Sequence, residues 1–247
     1  MDAAHPGTRF RVRHVGETGS TNADVAAAAA AGEPEGLVIV ADYQTAGRGR
    51  LGRSWVAPPG SALLTSILLR PPPMDTHMVV AAVACAAAAT CPGARIKWPN
   101  DLVAPDGRKL AGILAEATTS GNVTSITIGI GLNLLTPPDF PGELKEVATS
   151  LAHLVTHVPS RDAVLAGLLT ALEPRYARLC DAGPADLLAE YRGRCVTIGR
   201  PVRIELANGA WEGEAVGVDD GCALLVERPG VGVVTVTVGD VVHVRPA

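Results

Sequence analysis

Aromatic residues are nearly missing from this chain: three tryptophans, three tyrosines and two phenylalanines stand among 247 residues. Hydrophobic residues nonetheless reach 47%, so alanine, valine and leucine have to build the core. A chain of this length buries enough surface for one large domain and a small one. A basic excess is missing too. The 21 Lys and Arg stand against 25 Asp and Glu, a formal net charge of −4, whereas nucleic-acid binders carry a clustered basic surplus. The five cysteines (Cys85, Cys91, Cys180, Cys195, Cys222) include no Cys-x-x-Cys pair and are odd in number. They read as buried thiols of a reducing compartment, with neither a disulfide framework nor a zinc site. The longest apolar run, residues 78–89, is mostly alanine and too short to cross a bilayer. The first seven residues lack the apolar stretch of a signal peptide. A cytoplasmic protein without a membrane partner is expected, and no internal repeat is evident.

What the chain does have is concentrated in a few stretches. The foremost is Gly47-Arg48-Gly49-Arg50-Leu51-Gly52-Arg53-Ser54-Trp55, which follows an apolar run at 37–41 that reads as a buried strand. Glycines bring bare N–H groups up to a ligand, and arginines add permanently charged forked donors for phosphate or carboxylate oxygens. Trp55 ends the stretch with a face for a purine or a lid for a pocket. Read alone, the run suits a loop wrapping a phosphate-bearing small molecule, and equally a solvated turn. It is no P-loop, because no Gly-Lys-Ser/Thr follows.

A strand at 9–15 is broken by Gly19-Ser20-Thr21-Asn22, and alanines from 23 to 31 propagate a helix that stops at Gly32. Capping accounts for one of the three polar residues; all three at a helix N-terminus also suit a polar ligand head. Residues 62–69 form a second apolar strand, and 75–90 a packed helix capped by Asp75 or Thr76. Arg95-Ile96-Lys97-Trp98-Pro99-Asn100-Asp101 follows, with Pro99 keeping Trp98 extended and Asn100-Asp101 favouring a tight turn. Pro105-Asp106-Gly107 marks a hairpin before strands at 109–116 and 123–130, and Gly129-Ile130-Gly131-Leu132-Asn133 ends the second in a close approach. Ser160 caps a helix running to about residue 180, with a kink expected at Pro174, and residues 184–191 form a shorter helix. From Arg194 short alternating strands with Asn208-Gly209 and Asp220-Gly221 turns read as a small β-barrel. His153 and His157 stand i,i+4, but no third metal ligand accompanies them.

Gly19-Ser20-Thr21-Asn22, then Gln44 with the Gly/Arg stretch to Trp55, then Lys97-Trp98-Pro99-Asn100-Asp101, then Lys109-Leu110-Ala111-Gly112-Ile113-Leu114 resemble the blocks of the biotin–protein ligases, in that family's order. The tail from about residue 195 is similar to the family's C-terminal barrel. The resemblance implies an α/β fold: a mixed β-sheet catalytic domain (1–193) with helices largely on one side, plus a small C-terminal SH3-like β-barrel (194–247).

The activity implied is a two-step acyl transfer. Biotin's carboxylate attacks the α-phosphate of ATP, giving biotinyl-adenylate, and a lysine of a biotin carboxyl carrier protein domain of an acyl-CoA carboxylase then attacks the mixed anhydride. By the same resemblance Ser20, Thr21, Asn22 and Gln44 would hold the biotin ureido ring, with Gly112 beside them. Arg48 and the Gly47 and Gly49 backbone would cover its carboxylate and the phosphates. Arg50 and Arg53 would bind phosphates, Trp55 would pack near the adenine, and Lys109 would meet the carboxylate and the adenylate phosphate. Lys97, Asn100, Gly131 and Asn133 would serve the nucleotide, and Asp101 would help deprotonate the incoming lysine. Arg48, Lys97, Lys109 and Asp101 thus form the expected catalytic set.

Bringing a carboxylate up to a triphosphate demands several fixed cations, and Mg²⁺ carried by ATP. No protein nucleophile is required, in keeping with the missing Ser-His or Cys-His signature. Leu51 departs from relatives that have a further basic residue there. Only nineteen residues precede Ser20, too few for the helix-turn-helix that some relatives use to bind DNA, so no DNA partner is expected. The alternatives are a lipoate or octanoate ligase or transferase of the same architecture, and a biotin-responsive regulator without catalysis. The Gly/Arg loop and the tail favour biotin, and the number of cations favours catalysis.

Overall fold

Apolar runs set between glycine and proline punctuation become the strands of one sheet. The computed structural model describes residues 3–120, 123–136, 142–206, 209–237 and 240–243. Its first eight strands are β1 (Ala3–Ala4), β2 (Arg11–Thr18), β3 (Leu37–Gln44), β4 (Ala62–Leu69), β5 (Arg95–Lys97), β6 (Asp101–Val103), β7 (Lys109–Ser120) and β8 (Val123–Asn133). They lie in the order β1-β2-β3-β4-β8-β7-β6-β5. Only β2 and β3 run parallel, and the crossover this demands is helix α1 (Thr21–Ala30). The sheet is mixed, as expected.

Strand parity then divides the sheet into two faces. Val38, Val40, Leu63, Ile67, Leu69, Ile126, Ile128, Ile130 and Leu132 share a core with the helices α2 (Thr76–Thr90), α4 (Arg161–Ala182) and α5 (Ala185–Arg194). The opposite face carries α1, whose Val25 packs on Leu37, Ile39 and Leu68, and the segment with Trp55 and Ala57, which packs on Ala62 and Leu64. Every residue of β4 is buried, because the helical core covers one face and α1 together with Trp55 and Ala57 covers the other. Helix α2 is buried over nearly its whole circumference, from Met78 to Ala88, between the sheet and α4; its alanines let those layers come close. Asp75 caps α2 through the His77 N–H and Ser160 caps α4 through the Ala163 N–H. Helix α4 continues past Pro174. The short helix α3 (Gly142–Val147) carries no signal that the sequence reading caught.

The remaining strands, β9 (Pro201–Leu206), β10 (Gly209–Val218), β11 (Leu224–Arg228), β12 (Gly232–Val236) and β13 (Asp240–His243), form an antiparallel sheet in the order β12-β11-β10-β9-β13. The small all-β unit expected at the C-terminus is therefore present. Its edge strands β12 and β13 share no ladder among the described residues. Val202, Ile204, Ala215, Leu224 and Val226 join the core beneath the large sheet. Hydrogen bonds also tie the two units together: the Val196 N–H donates to the Ile96 carbonyl at 2.8 Å, and Trp98, 2% exposed, donates its backbone N–H to Thr197 Oγ1 (3.0 Å) and its indole N–H to the Cys222 carbonyl (2.9 Å).

All five cysteines are free thiols, and burial pushes Cys85, Cys91 and Cys222 up to about 12, so these three stay protonated at neutral pH. Among the described residues no helix is long and apolar enough to cross a membrane.

The junction between the two units titrates. Thr197 Oγ1 receives the Trp98 N–H and lies 3.1 Å from His243 Nε2. Burial first, then the nearby Lys97 and Arg200 charges, lower the His243 pKa from 6.5 to about 4. Between these values the unfolded chain binds the extra proton, so His243 contributes stability that is full above pH 6.5 and declines as pH falls toward 4. The variant His243→Gln should lose less melting temperature than wild type between pH 7 and about pH 4.5; parallel losses in differential scanning fluorimetry would remove His243 from the acid response.

Candidate active site

The sheet face without the helical layer carries the site, and the same parity builds it. Along β7, Gly112, Leu114 and Glu116 point to this face; along β8 it is Thr127, Gly129 and Gly131, and Gly112 stands opposite Gly131. Two side chains lie down on the resulting low ground. Trp55 covers Gly131, where an added Cβ would come within 2.4 Å of the indole, and Asn22 covers Gly129, where it would meet Oδ1 at 2.3 Å. These glycines are thus required by close approach.

The Gly/Arg stretch closes on itself. Gly49 N–H donates to the Arg53 carbonyl (2.6 Å) and Trp55 N–H to the Gly47 carbonyl (2.9 Å), and Arg48 and Ser54 are bridged across the turn. Leu51 forms the tip in the left-handed region (φ 55°), 68% exposed. This geometry aims the arginines inward. Arg48 pairs with Glu116 at 3.0 Å and Arg50 donates to Asn100 Oδ1 at 3.1 Å. Lys109 Nζ, from the first residue of β7, forms an ion pair with Asp101 Oδ1 at 2.7 Å and lies 5.6 Å from the Trp55 ring centroid. The Trp55 indole N–H is buried without a partner among the described residues, a donor ready for an acceptor on a ligand.

At the other end of the site stands α1. Ser20 is its N-cap in extended conformation, yet its hydroxyl makes no cap bond, so capping does not consume it. Gln44 Oε1 accepts the Thr21 N–H at 2.7 Å, the Thr21 and Ser66 hydroxyls lie 2.7 Å apart, and Ser66 donates to Asn22 Oδ1 at 2.6 Å. Asn22 Nδ2 in turn donates to Glu116 Oε2 at 2.7 Å.

One cavity of about 290 Å³ joins these parts. Of the residues anticipated from sequence, Ser20, Thr21, Asn22, Gln44, Arg48, Gly49, Arg50, Arg53, Trp55, Lys97, Asn100, Asp101, Lys109, Gly112 and Gly131 line it. Gly47 and Asn133 do not. Gly47 lies where a Cβ would strike the Trp55 carbonyl, so it shapes the loop, and Asn133 spends its amide on the Thr149 carbonyl at 2.9 Å. Sequence reasoning missed Ser66 and Glu116, which stand behind the lining as partners of Thr21, Asn22 and Arg48, and Glu205, Val241 and Val242, which the C-terminal sheet adds to the cavity wall. Among the described residues no group of three or more His, Cys, Asp or Glu is placed to hold a metal, His153 and His157 included.

The glycine floor is testable. Gly131 has an ordinary φ, so alanine fits its backbone, and the new methyl must displace the Trp55 ring. Gly131→Ala should reduce turnover of the site at least about tenfold, since small misplacements at a reacting centre are costly, with a melting temperature near wild type. Wild-type turnover would show that Trp55 need not lie there.

Comparison with known proteins gives one answer. The family model described as the biotin/lipoate A/B protein ligase family matches residues 20–133, and that of the biotin protein ligase C-terminal domain matches residues 197–244. The chain is 39% identical to the biotin–[acetyl-CoA-carboxylase] ligase of Mycobacterium tuberculosis, over 94% of its own length and 88% of that protein. It is 37% identical to the bifunctional ligase/repressor BirA of Bacillus subtilis, over 78% of its own length and 62% of the relative. Among solved structures, the biotin protein ligase from Aquifex aeolicus in complex with biotin and ATP superposes with a TM-score of 0.80 at 24% identity, covering 95% of this chain and 99% of that one.

Proposed function

Because the chain belongs to the biotin/lipoate A/B protein ligase family, we infer that it is an ATP-dependent biotin–protein ligase, forming biotinyl-5′-AMP and passing biotin to a lysine of a biotin carboxyl carrier domain of an acyl-CoA carboxylase. One observation carries this reading: a single cavity has a neutral, hydrogen-bonding end (Ser20, Thr21, Asn22, Gln44) and a cationic end (Arg48, Arg50, Arg53, Lys97, Lys109). Biotin has the same polarity, with an uncharged ureido ring at one end and a carboxylate at the other. The dithiolane of lipoate and the alkyl end of octanoate would leave the polar floor unpaired, and a buried polar group without a partner is penalised heavily.

In the first step the cations hold the biotin carboxylate against the α-phosphate of ATP; the carboxylate oxygen forms the new P–O bond and pyrophosphate departs. Orientation and charge neutralisation supply the rate, and Lys109, beside both Asp101 and Trp55, stands where the two anions meet. In the second step the amine of the carrier lysine attacks the anhydride carbonyl and AMP departs. Asp101 would take the proton that the attacking amine loses. Carboxylates line the cavity singly (Asp101, Glu205), and this donor set suits a magnesium ion held mainly by phosphate oxygens. Such an ion would supply neutralisation of the triphosphate. The division between the catalytic and C-terminal domains is placed at 193/194, at the end of α5.

ATP–pyrophosphate exchange tests the reading. Biotin should support exchange while lipoate and octanoate do not. Exchange with either of those and not with biotin would reassign the substrate, and tight biotin binding without exchange would favour a regulator.

A further inference from the structure

We propose that Glu116 is a positioning residue for adenylate formation, holding the loop guanidinium of Arg48 and the floor amide of Asn22 through one shared oxygen. The proposal rests on the functional reading above for the reaction it serves. Its grounds are geometric. Oε2 of Glu116 accepts from Asn22 Nδ2 at 2.7 Å and from Arg48 at 3.0 Å, so one atom joins the two ends of the cavity.

The hydrogen bonds behind that atom run in one direction. The single proton of Ser66 goes to Asn22 Oδ1 at 2.6 Å, so across the 2.7 Å contact with Thr21 the Ser66 oxygen can only accept. The Thr21 hydroxyl proton has two acceptors in reach, Ser66 Oγ at 2.7 Å and Gln44 Oε1 at 3.0 Å; from Ser66 onward the direction is set, Ser66 to Asn22 and Asn22 to Glu116. A carboxylate, which only accepts, is what such a chain needs at its end, and it fixes which way the Asn22 amide faces. Asn22 lies directly over Gly129, where no side chain keeps it off the strand.

Charge decides the other half. Arg48 shares its short loop with Arg50 and Arg53, and a negative group is needed to hold it inward while no anion is bound. Glu116 supplies that charge from a rigid strand and not from the loop. The side chains of the pair are 47% and 36% exposed, and ion pairs this exposed add little to stability, so its value lies in where it holds Arg48.

The test is biotin-dependent ATP–pyrophosphate exchange in wild type, Glu116→Gln, Arg48→Ala, the double variant and Glu116→Ala, with melting temperatures alongside. Glutamine keeps an oxygen for Asn22 but not the charge for Arg48. Glu116→Gln should lower kcat about tenfold and leave the biotin KM within about threefold, since misplacing a reacting group acts on the barrier. In the Arg48→Ala background the same change should lower kcat less than about twofold, because residues acting as one unit are not additive. Glu116→Ala should also raise the biotin KM, as the Asn22 amide loses its short bond and keeps only the Leu114 carbonyl at 3.4 Å; should that variant not fold, the glutamine comparison decides alone. Equal kcat losses in both backgrounds, or an unchanged kcat in Glu116→Gln, would overturn the proposal. A wild-type enzyme without biotin-dependent exchange would instead overturn the functional reading, and is seen before any variant is made.

Discussion

Replacing Lys109 or Arg48 with alanine is expected to slow biotin-dependent ATP–pyrophosphate exchange by at least about 10²-fold without unfolding the protein. Two magnitudes decide this. The ion pairs that the side chains make in the free protein, Lys109 with Asp101 and Arg48 with Glu116, are partly exposed and contribute about 0–1 kcal/mol each. A fixed donor aimed at charge that develops in a transition state is worth about 3 kcal/mol, and each 1.4 kcal/mol or so is a factor of ten in rate. The rate should therefore fall far more than the stability. The two variants should also differ in kind. Lys109 projects from the first residue of a core strand whose carbonyl receives the Thr149 N–H, so its loss leaves the backbone in place and removes a charge. Arg48 sits on a turn closed by the Gly49 and Trp55 N–H groups, so its loss also frees that turn. Exchange rates within a few-fold of wild type in both variants would take them out of the chemistry.

Much of this site can be read from the chain because its parts are local. The Gly/Arg stretch, Gly19 to Asn22 and Lys97 to Asp101 each hold several functional residues in a row, on turns where glycine, proline and asparagine betray the backbone. Ser66 and Glu116 escape that reading for a physical reason. Each is a polar residue on a strand, and its role depends on which face it occupies. Strand β4 is buried on both faces and reads as one apolar run, so no alternation tells Ser66 from Thr65, whose hydroxyl turns away to the Ile39 carbonyl. For Glu116 the signal was there: Gly112, Leu114 and Glu116 share a parity, and Gly112 already belonged to the site. Asn133 errs the other way. It ends the close-approach turn that the sequence points to, but on the parity of Gly131 it stands one step past the cavity, where Thr149 receives its amide. The C-terminal contribution was legible as a unit and not as residues, because Glu205, Val241 and Val242 reach the cavity only through the packing of one sheet's end on another.

That packing sets the last expected result: removal of the chain from Arg194 onward should abolish both half-reactions and sharply destabilise what remains. Were the tail an independent module, its loss would cost the carrier protein a docking surface and little else. Three observations argue otherwise. Trp98 is buried with both of its N–H groups donated to tail residues, Thr197 and Cys222, so the tail is what covers it. Ile96 loses the Val196 N–H at its carbonyl. Tyr191, fully buried, shares its core with Val202, Ile204 and Leu224 of the tail. Uncovering Trp98 and Tyr191 to water forfeits about 1.5–3 kcal/mol of burial for each large side chain, enough together to lower the melting temperature by roughly 10 °C in a chain of this size. The damage is also local to the site, since Lys97, Asn100 and Asp101 flank Trp98 and line the cavity. Thr197→Val offers the milder version, taking the acceptor from the Trp98 N–H while keeping the tail; it should reduce exchange and stability in the same direction, by less. A truncated protein that stays folded and runs both half-reactions at wild-type rates would make the tail a separate domain after all, and would leave the position of Trp98 to the catalytic sheet alone.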